Sequence, residues 1–437
     1  MKTKIICLII AVSLCGNIAV AKATKATKTH NELIQNKLYS PLIMASPYIG
    51  SEPAYDGSDL IASWSSTNED LTILQQRQQV ENFLKKSGAA PINKPLLYLS
   101  GNVEGQVLKQ QDYDHQVTSS IDLSNVELDL LGEINSWAST FIAFTYDDTC
   151  SSVCVDRAFL TLGNLNNLPF YGSIGQMVIP FGIYSNYMIS NPLTKSLAKT
   201  KQQTALLGYS KNNLYASTYV FKGDSHVKNK NTINNWGTNL GYKFTIKKLD
   251  ADIGVGYIKN IADSLGMQGT GAADGYFQGF ANDNGSGSDH ENLQHQVPAV
   301  DLHANVTLDD HYHLINEYIT ALQPFNKNDL SFNGKGAKVS TMDTEFAFSH
   351  DVYDKPSFIA VGYGTTWQAL SLNLPKHSLM GSIGTSLWKN IVEMIEFKHD
   401  INYGHNNTSA GGGSKPMNPE GVHKDNNSIT LQIDYYF

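Results

Sequence analysis

The chain has 437 residues, a length that would correspond to two or three domains in a soluble protein. Its composition argues against a soluble protein, because only 16% of the residues are charged while an ordinary 41% are apolar. Gly, Asn, Ser, Thr and Tyr fill the difference, and a strand wall between lipid and water needs this mixture. The net charge of −8 says little about partners, but the two arginines, Arg77 and Arg157, are too few for a typical nucleic-acid-binding patch.

The first 21 residues have the pattern of a secretory signal peptide. Lys2 and Lys4 precede an apolar run over 5–16 that is too short to cross a bilayer, and Ala19-Val20-Ala21 forms a small-residue cleavage site. We therefore expect the mature chain to begin at Lys22. After it, no run approaches the ~20 apolar residues of a transmembrane helix, so a membrane location would require a β-barrel.

The cysteines divide between the signal peptide and the mature chain. Cys15 allows a lipoprotein anchor as an alternative, although the bulky Leu14 before it does not suit lipoprotein cleavage. Cys150 and Cys154 remain after export, and their spacing predicts a disulfide that closes a small loop.

Residues 22–96 have no barrel pattern, and we expect them to form a short periplasmic segment. A helix is predicted at about 67–87, because Ser66 and Glu69 have capping-box spacing and Gly88 can end the helix. Because an isolated short helix is marginally stable, the segment is expected to be either a periplasmic plug or an oligomerisation element.

From residue 97 to Phe437 the apolar residues recur with period two, as in strands that have one lipid face and one water face. In the last segment, Ile429, Leu431 and Ile433 alternate with polar residues. Counting such segments predicts a 16-stranded antiparallel transmembrane β-barrel, with strands at about 97–108, 119–131, 137–147, 156–164, 170–178, 204–210, 214–223, 235–246, 249–259, 297–308, 311–321, 337–349, 356–366, 377–388, 391–403 and 428–437.

The connections between these segments alternate between short and long. Outer-membrane barrels have short periplasmic turns, long outer loops and an even number of strands. An even count also places both ends of the barrel in the periplasm, and the final aromatic Phe437 suits recognition by the barrel-assembly machinery. We therefore predict an outer-membrane protein surrounded by lipid.

The long connection 179–203 is a candidate selectivity element. It carries Lys195, Lys199 and Lys201 and no acidic residue, and it is unusually apolar for an outer loop. We expect it to fold into the lumen and form a constriction whose lysines favour anions, with Arg157 and Gln176 also lining the pore. The alternative is a loop that caps the outer surface.

Catalytic and metal motifs are absent from the sequence. It contains no Walker loop, no G-x-S-x-G and no H-E-x-x-H, so we predict neither an enzyme nor a bound cofactor. His311 and His313 would share one face of a strand and supply half of a metal site, but the sequence places no third ligand beside them.

Several segments resemble the LbtU-type siderophore porins: 74–77, 99–101, Phe159–Leu165, Pro169–Gln176, Pro180–Gly182, Tyr187–Lys195 and Asn260–Ser264. The resemblance implies import of a ferric siderophore, with an anionic polycarboxylate as the expected cargo, and without a large energy-coupled plug. Two further functions remain open. One is a general or phosphate-type anion porin, and the other is a surface adhesin that uses loops 260–296 and 404–427. A homo-oligomer is compatible with each of them.

Overall fold

The computed structural model describes residues 67–88, 95–146, 153–227, 232–270, 277, 279–280, 292–411 and 422–437. It also describes the backbone of two short strands, Leu42–Ala45 and Lys415–Met417. The predicted signal peptide, Ser66 and Cys150 lie outside the described residues.

Sixteen strands form a closed antiparallel barrel in which each strand pairs with the next along the chain. The last strand returns to the first, with Tyr436 opposite Asn102, and closes the sheet. The 16-stranded fold predicted from the sequence is confirmed. The strands are β1 Leu96–Gln111, β2 Val117–Asn135, β3 Ala138–Tyr146, β4 Cys154–Gly163, β5 Phe170–Val178, β6 Lys201–Lys211, β7 Leu214–Phe221, β8 Asn235–Ile246, β9 Leu249–Ile258, β10 Ala299–Leu308, β11 Tyr312–Ala321, β12 Ser340–Val352, β13 Lys355–Trp367, β14 His377–Thr385, β15 Ile391–Ile401 and β16 Asp425–Tyr436.

The strands separate an apolar outer face from a polar inner face. In β16, Ile429, Leu431 and Ile433 are exposed on the outside, whereas Thr430 and Asp434 are buried. Successive side chains of a strand point to opposite faces, so the alternation seen in the sequence becomes a lipid-facing wall around a polar interior.

Tight turns connect the strands at one end of the barrel. Asn212-Asn213, Asp309-Asp310 and Tyr353-Asp354 each place two consecutive residues at positive φ. Two-residue turns of this kind match the twist of paired strands, and Asn and Asp tolerate the left-handed conformation. This end is the periplasmic end of an outer-membrane barrel.

The long loops at the opposite end contain secondary structure of their own. They include helices α2 (Leu193–Ala198) and α3 (Leu265–Gln268), and 3₁₀ turns at Ile261–Asp263 and Leu370–Leu372. Short strands of these loops pair with one another. His226–Val227 pairs with Asn292–Leu293. Leu330–Phe332 pairs with Lys335–Gly336 on one side and with Ser409–Gly411 on the other, and Ser409–Gly411 also pairs with Lys415–Met417. Three buried rings pack among these loops: Phe277 meets Phe280 edge to face at a centroid distance of 5.0 Å, and Phe280 stacks on Phe325 at 5.5 Å. The outer mouth is therefore covered by a packed cap.

The predicted N-terminal helix is present as α1, Glu69–Lys86. The predicted capping box is wrong, because the helix begins after Asn68, whose φ is 60°, and Glu69 is the first helical residue instead of the third. Earlier in the chain, the short strand Leu42–Ala45 pairs in parallel with Leu96–Leu99 of β1. This part of β1 extends beyond the residues that pair with β16. Among the described residues, no helix has both the length and the apolar character needed to cross a bilayer.

Candidate functional site

Helix α1 lies inside the barrel against the inner wall formed by β3 to β6. Leu71 and Leu74 are buried in a cluster with Phe141, Phe159 and Tyr171 of that wall. Because these apolar side chains are covered on the lumen side of the wall, the helix occupies part of the lumen and is called the plug below.

Polar contacts fix the same side of α1 to the wall. Ser173 of β5 donates to the Asp70 carboxylate at 2.6 Å, and Arg77 donates to the carbonyl of Gly163 at the end of β4. Near the periplasmic turns, the Asn166 amide donates to Glu81 at 2.7 Å. The helix therefore runs from the middle of the lumen to the periplasmic end.

Arg157 is the centre of a buried cluster of charges that anchors α1. Its guanidinium has no exposed surface and pairs with Glu69 of α1, with Glu127 of β2 at 2.7 Å and with Asp156 at 3.0 Å. Burial raises the pKa of Glu69 to about 7, although the positive charge of Arg157 lowers it. A buried cation with several carboxylates ties the first turn of the helix to two strands.

The third long loop, 179–200, crosses the lumen and is called the inward loop below. Its backbone amides donate to carboxylates of the far wall, listed with their donor–acceptor distances: Ile183 to Glu317 (2.5 Å), Tyr187 to Glu345 (2.7 Å), Ser190 to Glu396 (2.9 Å) and Thr194 to Asp343 (2.7 Å). The loop thus leaves β5, reaches β11, β12 and β15, and returns to β6, as expected from its apolar composition.

The inward loop also touches the plug. Thr67, just before α1, donates to the carbonyl of Gly182 at 2.8 Å. The Tyr187 ring packs on Phe358 of β13 at a centroid distance of 5.4 Å, and the Ser382 hydroxyl of β14 donates to its carbonyl at 2.8 Å. Together, α1 and the inward loop divide the lumen.

Two of the three predicted pore lysines lie near acidic groups. Lys199 is within electrostatic range of Glu69 and Asp156. Lys201 begins β6 and pairs with Asp156, with about a quarter of each side chain exposed (27% and 24%). The structure therefore brings Lys199 and Lys201 together with the Arg157 cluster, whereas Lys195 is half-buried in α2, and the role of the three lysines as a filter stays a prediction.

The other two predicted pore residues are held by the wall. Arg157 is fully buried, and Gln176 of β5 donates to the carbonyls of Asp156 at 2.7 Å and Val155 at 3.3 Å. Contact between Arg157 and a solute would require its ion pairs to open, whereas Gln176 is partly exposed; the pore-lining role of both residues remains a prediction.

The carboxylates that hold the inward loop were not predicted from the sequence. Glu317, Asp343 and Glu345 occupy buried positions of strands whose outer residues are apolar. The available signal was the contrast between a loop without acidic residues and neighbouring strands with acidic residues at alternate positions. Their hydrogen-bond donors are backbone amides, and a sequence motif does not indicate which backbone amide a carboxyl group will meet.

The remaining sequence predictions concern cysteine and histidine. Cys154 begins β4, and its predicted partner Cys150 is not described, so the disulfide stays a prediction. His313 interacts with the hydroxyls of Thr307 at 3.1 Å and Ser349 at 2.9 Å. Across the described ranges, no group of three or more His, Cys, Asp or Glu residues is arranged to hold a metal ion.

Two cavities border α1. One, of about 920 Å³, lies between the C-terminal half of the helix and β1 and β2 near the periplasmic turns. The other, of about 320 Å³, lies on the opposite side, between the first turns of α1, the inward loop and strands β7 to β10. Both volumes fall within the usual range of ligand sites, roughly 300–1,000 Å³.

A closed 16-stranded barrel with an apolar exterior, a polar lumen and an inward loop defines an outer-membrane β-barrel of the porin type. The anion-selective porin from Comamonas acidovorans has a similar fold, with a TM-score of 0.51 over 79% of this chain and 100% of that one, at 10% identity. The outer-membrane channel DcaP of Acinetobacter baumannii aligns at 12% identity over 79% and 99% of the two chains, with a TM-score of 0.48.

The chain belongs to the UPF0422 family. It is 34% identical over 411 residues to the UPF0422 protein of Coxiella burnetii, covering 92% of this chain and 85% of the relative. It is 34% identical over 414 residues to a UPF0422 protein of Legionella pneumophila, covering 90% and 76%. No family model matches the chain.

Proposed function

We propose that this porin-type barrel is a substrate-selective channel that imports a ferric siderophore of the anionic polycarboxylate type. The observation that carries the proposal is the divided lumen, in which α1 occupies space beside the inward loop that a general porin keeps as an open aqueous channel. A lumen closed in this way suits a cargo that opens it. The resemblance to the LbtU-type siderophore porins supplies the class of cargo.

Electrostatics support an anionic cargo. Lys199 and Lys201 lie beside Glu69 and Asp156, and Lys195 is on the same loop. Carboxylates of the cargo can replace these protein carboxylates at the lysines, so each charge keeps a partner during the exchange. The exchange would weaken the attachment of α1 through Glu69 and couple binding to opening. In this proposal the protein is a channel, iron is cargo, and no resident cofactor takes part.

A second candidate is an anion porin of the general or phosphate type, because the same lysines would favour any small anion. It differs from the first in requiring no cargo to displace α1. Phosphate would then permeate at the same rate whether or not a ferric chelate is present.

Uptake measurements separate these functions. In a deletion strain grown under iron limitation, we expect uptake of radiolabelled ferric siderophore from the native host to be lost and to return with the wild-type gene. A triple variant K195Q/K199Q/K201Q should restore it only weakly. The control K327Q/K335Q/K338Q removes three exposed lysines of another outer loop and should restore uptake fully.

Normal siderophore uptake in the deletion strain would overturn the proposal. Phosphate permeation through the purified protein together with normal iron uptake in the deletion strain would support the anion porin. In planar bilayers, an unchanged anion-to-cation permeability ratio after K195E/K199E/K201E would exclude the lysines as the filter. Binding of the purified barrel to host cells without any solute uptake would favour an adhesin.

A further inference from the structure

The two sides of α1 are held very differently. The side toward β3 to β6 carries the buried ion pair of Glu69 with Arg157 and the bond between Asp70 and Ser173. Toward the other side, two of the hydrogen bonds to the first turns join neutral groups at 3.3 Å: the Asn239 amide of β8 donates to Asn68, and Gln75 donates to Ser210 of β6, the last strand of the first side. Such long neutral hydrogen bonds are weak compared with a buried charged pair.

A stripe of polar, uncharged side chains lies on this loosely held side. Thr72, Gln75, Gln76 and Gln79 are spaced by three or four residues and therefore share one face of the helix. All four line the cavity of about 320 Å³. The amide groups of the glutamines offer both donors and acceptors to whatever occupies the cavity.

The opposite wall of the cavity carries a cation whose partner is accessible. Lys243 lies 3.7 Å from Asp252, with 54% of its side chain exposed, and its ammonium is 5.7 Å from the centre of the Tyr215 ring. The Tyr215 hydroxyl donates to Asp252 at 2.9 Å. Since Asp252 has a second donor, Lys243 can exchange it for a carboxylate of another molecule.

The cavity extends from the inward loop toward the periplasm. Ser185 of that loop lines its inner end and accepts a hydrogen bond from Asn305 of β10 at 2.8 Å. Gln79 and Lys243, which are exposed, line it farther along. The larger space of about 920 Å³ has no such continuity with the loop, because its lining on α1 begins at the buried Arg77.

We propose that cargo passes the plug through this cavity, between the glutamine stripe and β7 to β10, and binds there through Lys243 and the glutamine amides. The identity of the cargo as a ferric polycarboxylate rests on the proposed function; the route itself rests on the geometry. Carboxylates of the chelate replace Asp252 at Lys243, and its hydroxyl and carbonyl groups bond to Gln75, Gln76 and Gln79. Loosening of Glu69 at the first turn widens this route, while the bonds of Asp70 with Ser173 and of Arg77 with Gly163 keep α1 on its wall.

The test blocks each side of the helix in the full-length protein. Gln76→Trp and Gln79→Trp fill the proposed route, and Leu84→Trp places the same bulk beside the larger space. Leu84 follows Gln79 by five residues, so at 3.6 residues per turn it lies on the other side of α1. Neither residue is fully buried, and neither substitution changes the charge of the helix. The readouts are potassium chloride conductance in planar bilayers and uptake of ferric citrate into vesicles that contain the protein.

We expect both readouts to fall severalfold with Q76W and Q79W and to stay near wild type with L84W. Lys243→Gln should raise the ferric citrate concentration for half-maximal uptake. If L84W blocks conductance while Q79W does not, or if the wild-type protein is silent in potassium chloride, the route is wrong. If Q79W blocks conductance but the wild-type protein takes up no ferric citrate, the route holds and the proposed cargo fails.

Discussion

Replacing Arg157 by methionine should release α1 from the barrel wall. The substitution keeps a similar length but removes the cation that pairs with Glu69, Glu127 and Asp156 in a site without exposed surface. Removal of one partner of a buried ion pair typically costs about 3–5 kcal/mol, because the remaining charges stay buried without compensation. That cost falls on the docking of α1, since Glu69 is the member of the cluster that can leave the wall.

Amide hydrogen exchange measures this docking directly. At pH 8, we expect exchange in α1 of Arg157→Met to accelerate by about a hundredfold to several thousandfold, the range that corresponds to this free energy. Exchange in β12 and β13 should change little, because their ladder does not involve Arg157. Chloride conductance should rise at the same time, since the plug spends more time away from the wall.

Two further variants decide whether the buried charges are the cause. Lys201→Met removes a cation that also pairs with Asp156 but is partly exposed, and should cost no more than about 1 kcal/mol. Glu69→Gln in the Arg157→Met background should restore part of the protection of α1. The reasoning fails if α1 of Arg157→Met exchanges at the wild-type rate, or if Lys201→Met accelerates exchange equally.

The remaining predictions concern pH, a turn and the inward loop. The pKa of Glu69 rises from 4.5 to about 7 when the helix docks. Docking is therefore strongest below pH 4.5, and its free energy weakens by about 3 kcal/mol as the pH rises through 7. Protection of the α1 amides from exchange should fall over the same range, and an equal fall in Glu69→Gln would contradict this prediction. Tyr353→Asn should raise the unfolding temperature, with a gain of about 1 kcal/mol, because tyrosine is strained at φ 52°; an unchanged or lower midpoint would count against this. Glu345→Ala removes the acceptor for the Tyr187 amide and should loosen the inward loop by about 1.5–3 kcal/mol, seen as higher conductance. Glu393→Ala, which removes the acceptor of a turn amide, should leave conductance unchanged, and equal effects of the two would refute the assignment.

Features that depend on neighbouring residues were predictable from the sequence. The strands follow from period two, and the turns follow from Asn and Asp residues that accept a positive φ. Strand ends were less accurate: β12 was predicted at 337–349 and lies at Ser340–Val352. Ala337 and Val339 are buried in the packing of the preceding loop, so the strand begins after them. An apolar residue at every second position does not distinguish a buried loop residue from a strand residue.

Contacts between distant parts of the chain account for what could not be predicted. The amide of Ile183 and its acceptor Glu317 are 134 residues apart, and Glu69 and Arg157 are 88 apart. The error at the start of α1 has the same origin, because Glu69 pairs with the wall instead of capping its own helix. Lysines of the loop were visible in the sequence, whereas the carboxylates around them became neighbours only in the closed barrel.

The position of α1 inside the barrel constrains the order of folding. The helix precedes every barrel strand in the chain, yet its anchors are on β2, β4 and β5. It therefore cannot reach its final contacts until those strands are paired. An element that comes first in the chain is thus completed late, and a helix that fails to dock would leave Arg157 without Glu69 in the finished wall.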